Sequence, residues 1–170
     1  MSAQQSLKTS GAPSLEELQA VGQLASEEEI EGRGCLCIEC IEEIPCNPCQ
    51  TSCPQGAITV GFPITNLPVI DRAKCTVCGI CIPACPGLAI TIKSVKDDTA
   101  RIRFPWEYLP YPSIGDVVRM VDRQGQELCD GRIVSIANPQ RNNKTAVVTA
   151  EFPRKFVQDA ISIARSHSDV

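Results

Sequence analysis

Apolar and polar positions change rhythm three times along the chain. Residues 1–12 are polar and predict a flexible tail. From Ser14, the residues Leu15, Leu18, Val21 and Ala25 recur at helical spacing. Ser14 and Glu17 form a capping-box pattern, so 14–29 predicts one amphipathic helix, with Glu27-Glu28-Glu29 at a solvated end. Such a helix either packs on its own domain or docks on another subunit. Gly32 and Gly34 close the segment. Residues 34–40 then alternate, which predicts a strand with Cys35 and Cys37 on one face and Leu36 and Ile38 on the other. Further strands are expected at 57–60 and 89–92, after short helical turns at "QTSC" and "IPAC". Pro63 and Pro68 predict a hairpin or extended loop over 61–74, with Val69-Ile70 as a strand.

Past Lys93 the pattern changes again. Residues 94–100 are polar and a proline-bearing stretch follows. Strands are predicted at Val117–Asp122, Gly131–Ala137 and Thr145–Phe152, with turns at Gln124-Gly125 and Asn142-Asn143. They suggest a small antiparallel β-barrel or sheet, and the barrel is the expected form. Phe156, Val157, Ala160, Ile161 and Ala164 predict a C-terminal helix over 154–166. Trp106, Tyr108 and Tyr111 read as either a partner surface or a strap over the core. The expected class is α+β, divided as 1–33, 34–93 and 94–170.

Cysteine changes this picture most. Eleven cysteines occur, and Cys75, Cys78, Cys81 and Cys85, followed by Pro86, form a C-x2-C-x2-C-x3-C-P run. That is the spacing of bacterial [4Fe–4S] sites. A second copy lies upstream, with Cys46, Cys49, Cys53 and Pro54 matching Cys78, Cys81, Cys85 and Pro86 at an offset of 32. The tails Ala57-Ile58-Thr59-Val60 and Ala89-Ile90-Thr91-Ile92 match too. One slot differs, because Glu43 stands opposite Cys75. Cys40 is the nearest thiol to it, and Cys37 and Cys35 are the other candidates.

Disulfides fit poorly, since the N-terminus has no apolar signal region or twin arginine. Zinc takes four ligands, not a repeated quartet with a proline behind each last cysteine. Cys35 and Cys37 otherwise read as small core hydrophobes. Cys129 and His167 read as ordinary residues without a role.

Segment 35–93 resembles the bacterial two-cluster ferredoxins. The resemblance implies a pseudo-symmetric fold and two [4Fe–4S] clusters. Cluster I would take Cys40, Cys46, Cys49 and Cys85. Cluster II would take Cys75, Cys78, Cys81 and Cys53. Over roughly 40–155 the chain is also similar to iron–sulfur subunits of FAD-dependent amine or amino-acid dehydrogenases of the proline and hydroxyproline type. That similarity implies FAD-binding partner subunits, single-electron transfer and no catalysis by this chain alone. A freely diffusing ferredoxin and a zinc-binding interaction module are the competing readings.

Composition narrows the rest. The net charge is −4 and no Lys/Arg-rich run occurs, which argues against nucleic acid. No apolar stretch approaches the ~18 residues of a membrane span. Reduced thiols in metal-type spacing predict a cytoplasmic setting. No Ser/His pair, P-loop or G-x-G-x-x-G is present.

Overall fold

The alternation at 35–38 folds as expected and sets the architecture. In the computed structural model, which describes residues 7–165, β1 (Cys35–Ile38) lies at the edge of a sheet and pairs with β4 (Ile90–Lys96). Its two faces enter different cores. Cys35 and Cys37 join a large core on one side; Leu36 and Ile38 join a smaller one on the other. β4 does the same, with Val95 in the large core and Ile90 and Ile92 in the small one.

The cysteine repeat is built from matching backbone. β2 (Ile58–Thr59) pairs with β3 (Val69–Ile70) as Ile58↔Ile70 and Thr59↔Val69. The same offset of 32 turns these pairs into Ile90↔Ile38 and Thr91↔Cys37, which is the pairing of β4 with β1. The bounding hydrogen bonds follow suit: Asp71 N–H to the Ala57 carbonyl and Glu39 N–H to the Ala89 carbonyl, both 2.8 Å. Each repeat thus lends one strand to the other, a local twofold arrangement.

The sheet continues past the repeat. Its order is β1-β4-β5-β8-β7-β6-β9, antiparallel throughout, with β5 (Thr99–Trp106), β6 (Val117–Val121), β7 (Glu127–Ala137), β8 (Ala146–Pro153) and β9 (Ser162–Ile163). β4 crosses the expected boundary at 93/94, so a single sheet serves both segments. The sheet is open: among the described residues no pairing joins β1 to β9, and the expected barrel is not formed. Strand β5 explains the difference. Ala100, Ile102 and Phe104 alternate inward between Arg101 and Arg103, so this stretch is a central strand rather than a linker.

Two expected helices are corrected. The C-terminal segment makes a 3₁₀ turn (Arg154–Phe156) and then β9, which pairs Ile163 with Met120 on β6. β-branched Ile161 and Ile163, flanking a serine, suit the open β6 edge better than a helix. At the N-terminus, α1 (Leu7–Ser10) precedes α2 (Leu15–Ala20), which ends near Gly22 at φ 71°. The Ser14–Glu17 capping box forms as expected. A second capping box, Ser26–Glu29, starts a separate helix, α3 (Glu27–Ile30). The acidic triplet is therefore a helix start, favourably placed on the dipole, and not a helix end.

This N-terminal segment packs on its own chain. Leu18 and Ile30 are fully buried, and the Gln23 side chain donates to the Pro68 carbonyl at 2.6 Å. Trp106 is likewise buried, in edge contact with Phe104 and Tyr108. His167 lies outside the described residues, as do residues 1–6 of the expected N-terminal tail, whose second half carries α1 instead.

Candidate metal centre

The two cysteine loops hang from the small core. The upstream loop contains α4 (Pro48–Thr51), with proline at its first turn. Three backbone hydrogen bonds recur between the loops at the offset of 32. Gln50 N–H to Asn47 matches Ile82 to Gly79; Cys53 to Gln50 matches Cys85 to Ile82; Gly56 to Cys53 matches Leu88 to Cys85. Gly56 and its counterpart Leu88 share a left-handed backbone, at φ 58° and 53°. A leucine there is unusual. It adopts the geometry of the repeat despite its side chain.

The thiols fall into two neighbourhoods. Cys53, Cys75, Cys78 and Cys81 line one small cavity together with Leu36, Ile58 and Val77. Cys81 is buried, and burial pushes its thiol up to about 12, reinforced by Cys78, Cys75 and Cys53. In the second neighbourhood, burial raises the Cys40 thiol, with further upward pressure from Cys85 and Cys46. Cys49 is raised by burial too, and it feels Cys85, Cys46 and Cys40. Cys40 thus stands among the thiols of the upstream loop, while Glu43 is exposed.

Cys35 and Cys37 stand elsewhere. The Cys35 thiol donates to the Leu36 carbonyl at 3.4 Å and the Cys37 thiol to the Cys35 carbonyl at 3.8 Å, and the interaction of the two neighbouring thiols raises Cys35 and lowers Cys37. Their charged neighbours are Arg72, Lys93, Glu29 and Glu39, not the cysteines of the two loops. Arg72 Nη1 lies 2.6 Å from the Cys35 sulfur, and its Nε meets Glu29. Cys129 is on β7, away from both groups.

The donor set and the loop backbone suit an iron–sulfur cubane. Both groups are all-thiol, which favours soft metal centres. Among the described residues no three His, Cys, Asp or Glu side chains converge as they would around one ion. A cubane does not require that, because each thiolate binds a different iron. Backbone donors face sulfur: Ala57 N–H points at the Cys53 sulfur at 3.3 Å. Val77 and Gly79 take left-handed conformations that curl the second loop.

Arg103 was not singled out by sequence, yet it ties the second loop to the sheet. Its Nη2 donates to the Val77 carbonyl at 2.6 Å. The inward–outward alternation of 100–104 carries the signal for its position on β5. Beside it a cleft of about 600 Å³ opens onto Cys78, the exposed cysteine of the second group, with Arg141 and Thr149 among its walls.

Residues 68–91 match the family described as "4Fe-4S binding domain". This segment is a 4Fe–4S ferredoxin domain. The chain is 44% identical over 50 residues to one subunit of the ion-translocating oxidoreductase complex of Methanosarcina acetivorans, a match covering 29% of this chain and 18% of that protein. It is 39% identical over 60 residues to the polyferredoxin-like subunit of the aliphatic sulfonate oxidoreductase of Pyrococcus furiosus, covering 35% and 32%. It is 33% identical over 85 residues to the isethionate sulfite-lyase activating enzyme of Desulfovibrio desulfuricans, covering 49% and 22%. The ferredoxin-type match thus spans well under half of each relative's length. No solved structure matches the chain significantly.

Proposed function

We propose that this chain carries two [4Fe–4S] clusters and passes single electrons as a subunit of a flavoprotein dehydrogenase complex. One observation carries the reading: two thiol quartets hang from backbone loops related by the chain's own twofold repeat. Cluster I takes Cys40, Cys46, Cys49 and Cys85, and cluster II takes Cys53, Cys75, Cys78 and Cys81. Each loop gives its last cysteine to the other loop's cluster, so the fold is of the two-cluster ferredoxin type.

When bound, a cubane supplies one-electron chemistry. The sulfurs would bind a cluster as thiolates, while the chain itself keeps water off Cys81 and aims the Ala57 amide at the Cys53 sulfur, contacts that would tune the potential. Cys78 at its open cleft gives an outside redox centre access to cluster II.

Membership of a larger complex rests on two supports. Two of the relatives are named as subunits of oxidoreductases. The sheet also extends well beyond the cluster loops, which suits an integral subunit better than a diffusing shuttle. The FAD partner and a cytoplasmic setting rest on the sequence resemblance and on the reduced thiols.

Native anaerobic purification tests the reading in steps. The expected sample holds about eight irons and eight labile sulfides per chain, with a flavin-bearing chain co-eluting. Zinc without sulfide would remove the clusters from the proposal. Intact clusters without a flavin-bearing chain would leave the free ferredoxin instead.

A further inference from the structure

Phe62, one of four phenylalanines, is 94% exposed, yet the loop that carries it is firmly held. Gln50 Oε1 accepts hydrogen bonds from Val60 N–H at 2.5 Å and Gly61 N–H at 2.9 Å. On the other side of Phe62, Asn66 N–H donates to the Pro63 carbonyl and its Nδ2 to that of Val60. The Cys46 amide donates to the Ile64 carbonyl at 3.2 Å, which fixes the loop against the upstream thiol group. Ile64 and Ile44 are themselves partly exposed, and Glu42 and Glu43 stand exposed beside them.

An aromatic side chain left in water at the tip of an ordered loop has already lost its backbone freedom before binding. That is the character of an interface anchor. The apolar residues form its centre and the two carboxylates an acidic rim. We infer that Ile44, Phe62 and Ile64 form a docking face for a redox protein whose surface has an apolar centre and a lysine- or arginine-rich rim. The electron would leave or enter through cluster I, whose proposed ligand Cys46 is hydrogen-bonded to this loop. The inference rests on the cluster assignment proposed above and adds the partner's surface chemistry and the port.

Cytochrome c, a basic protein with an apolar exposed haem edge, serves as the probe. One electron leaves a dithionite-reduced cluster and converts one ferric haem to ferrous. Two readouts are taken at low salt: the Kd for the cytochrome by calorimetry, and the rate of haem reduction. Phe62→Ser and Ile64→Ser each raise Kd about tenfold or more, and Glu42→Gln with Glu43→Gln weakens its salt dependence. Leu109→Ser, at an exposed apolar residue elsewhere, leaves Kd unchanged. All variants reduce a neutral benzoquinone at the wild-type rate. A wild-type protein that reduces the quinone but does not bind the cytochrome overturns the face, as does unchanged affinity in Phe62→Ser. A protein that reduces neither acceptor overturns the cluster reading itself.

Discussion

Arg123 grips Glu39 with two hydrogen bonds, from Nε at 2.7 Å and from Nη2 at 2.6 Å. The Arg123 side chain is 5% exposed and that of Glu39 13%. Lys93, 2% exposed, lies 4.0 Å from the same carboxylate and donates to the Gln158 carbonyl. Arg123 follows β6 at the far end of the sheet, and Glu39 precedes Cys40. The pair therefore fastens the C-terminal strands to a corner of the upstream thiol group. Arg123→Met is expected to destabilise the protein by about 3–5 kcal/mol, because it strands a buried carboxylate. Lys93→Met costs much less, since Glu39 keeps both bonds from Arg123. Urea unfolding of the two variants checks the order.

Cys40→Ser is expected to lower the iron content to about half, whereas Cys35→Ser and Cys37→Ser keep about eight irons. Cys40 shares its surroundings with Cys46 and Cys85; Cys35 and Cys37 face Arg72 and Lys93. Iron and labile sulfide assays on the three variants decide it. Eight irons in Cys40→Ser together with loss in Cys37→Ser would reverse the assignment.

Gly34 has φ 92°, and a Cβ there would stand 2.8 Å from the Lys93 carbonyl oxygen and 3.0 Å from the Ser94 Cβ. Gly34→Ala combines left-handed strain with a backbone clash where β1 meets β4. A loss of about 2–4 kcal/mol is expected by chemical denaturation. Gly32→Ala meets nothing within 4 Å. It pays only for its positive φ, and serves as the milder comparison.

Iron-free, reduced protein should weaken at high pH. The Cys81 thiol ionises near 9.0 when unfolded but keeps its proton until about 12 in the fold, because it is buried. Between those values the unfolded chain binds fewer protons, so stability falls as pH rises. The full contribution is present below pH 9.0 and is lost towards pH 12. Urea midpoints at pH 7.5 and pH 10 measure it. A midpoint that holds steady or rises at pH 10 contradicts the burial of this thiol.

Local chemistry made much of the site legible. Cysteine spacing, the paired prolines and the matching tails are short-range signals, and they located both loops and the strands after them. The capping box at Ser14 was equally local. The sheet was harder to read, because its order is set by contacts far apart in sequence. Pro105 and polar 94–100 hid β5, although Ala100, Ile102 and Phe104 alternate into the core. The segment after Pro153 has apolar residues that fit a helix as well as a strand, and only the unpaired β6 edge decides between them. Cys40 could be named as nearest to the gap, but its company of Cys46 and Cys85 needed the folded chain.

β4 is shared property. Ile90 and Ile92 pack beneath the thiol groups while Val95, further along the same strand, belongs to the large core. A cluster seated on the thiol groups, as proposed, would therefore brace both cores through one strand. Under the proposed reading, protease resistance of the whole chain, and not of residues 34–93 alone, is the readout of cluster insertion.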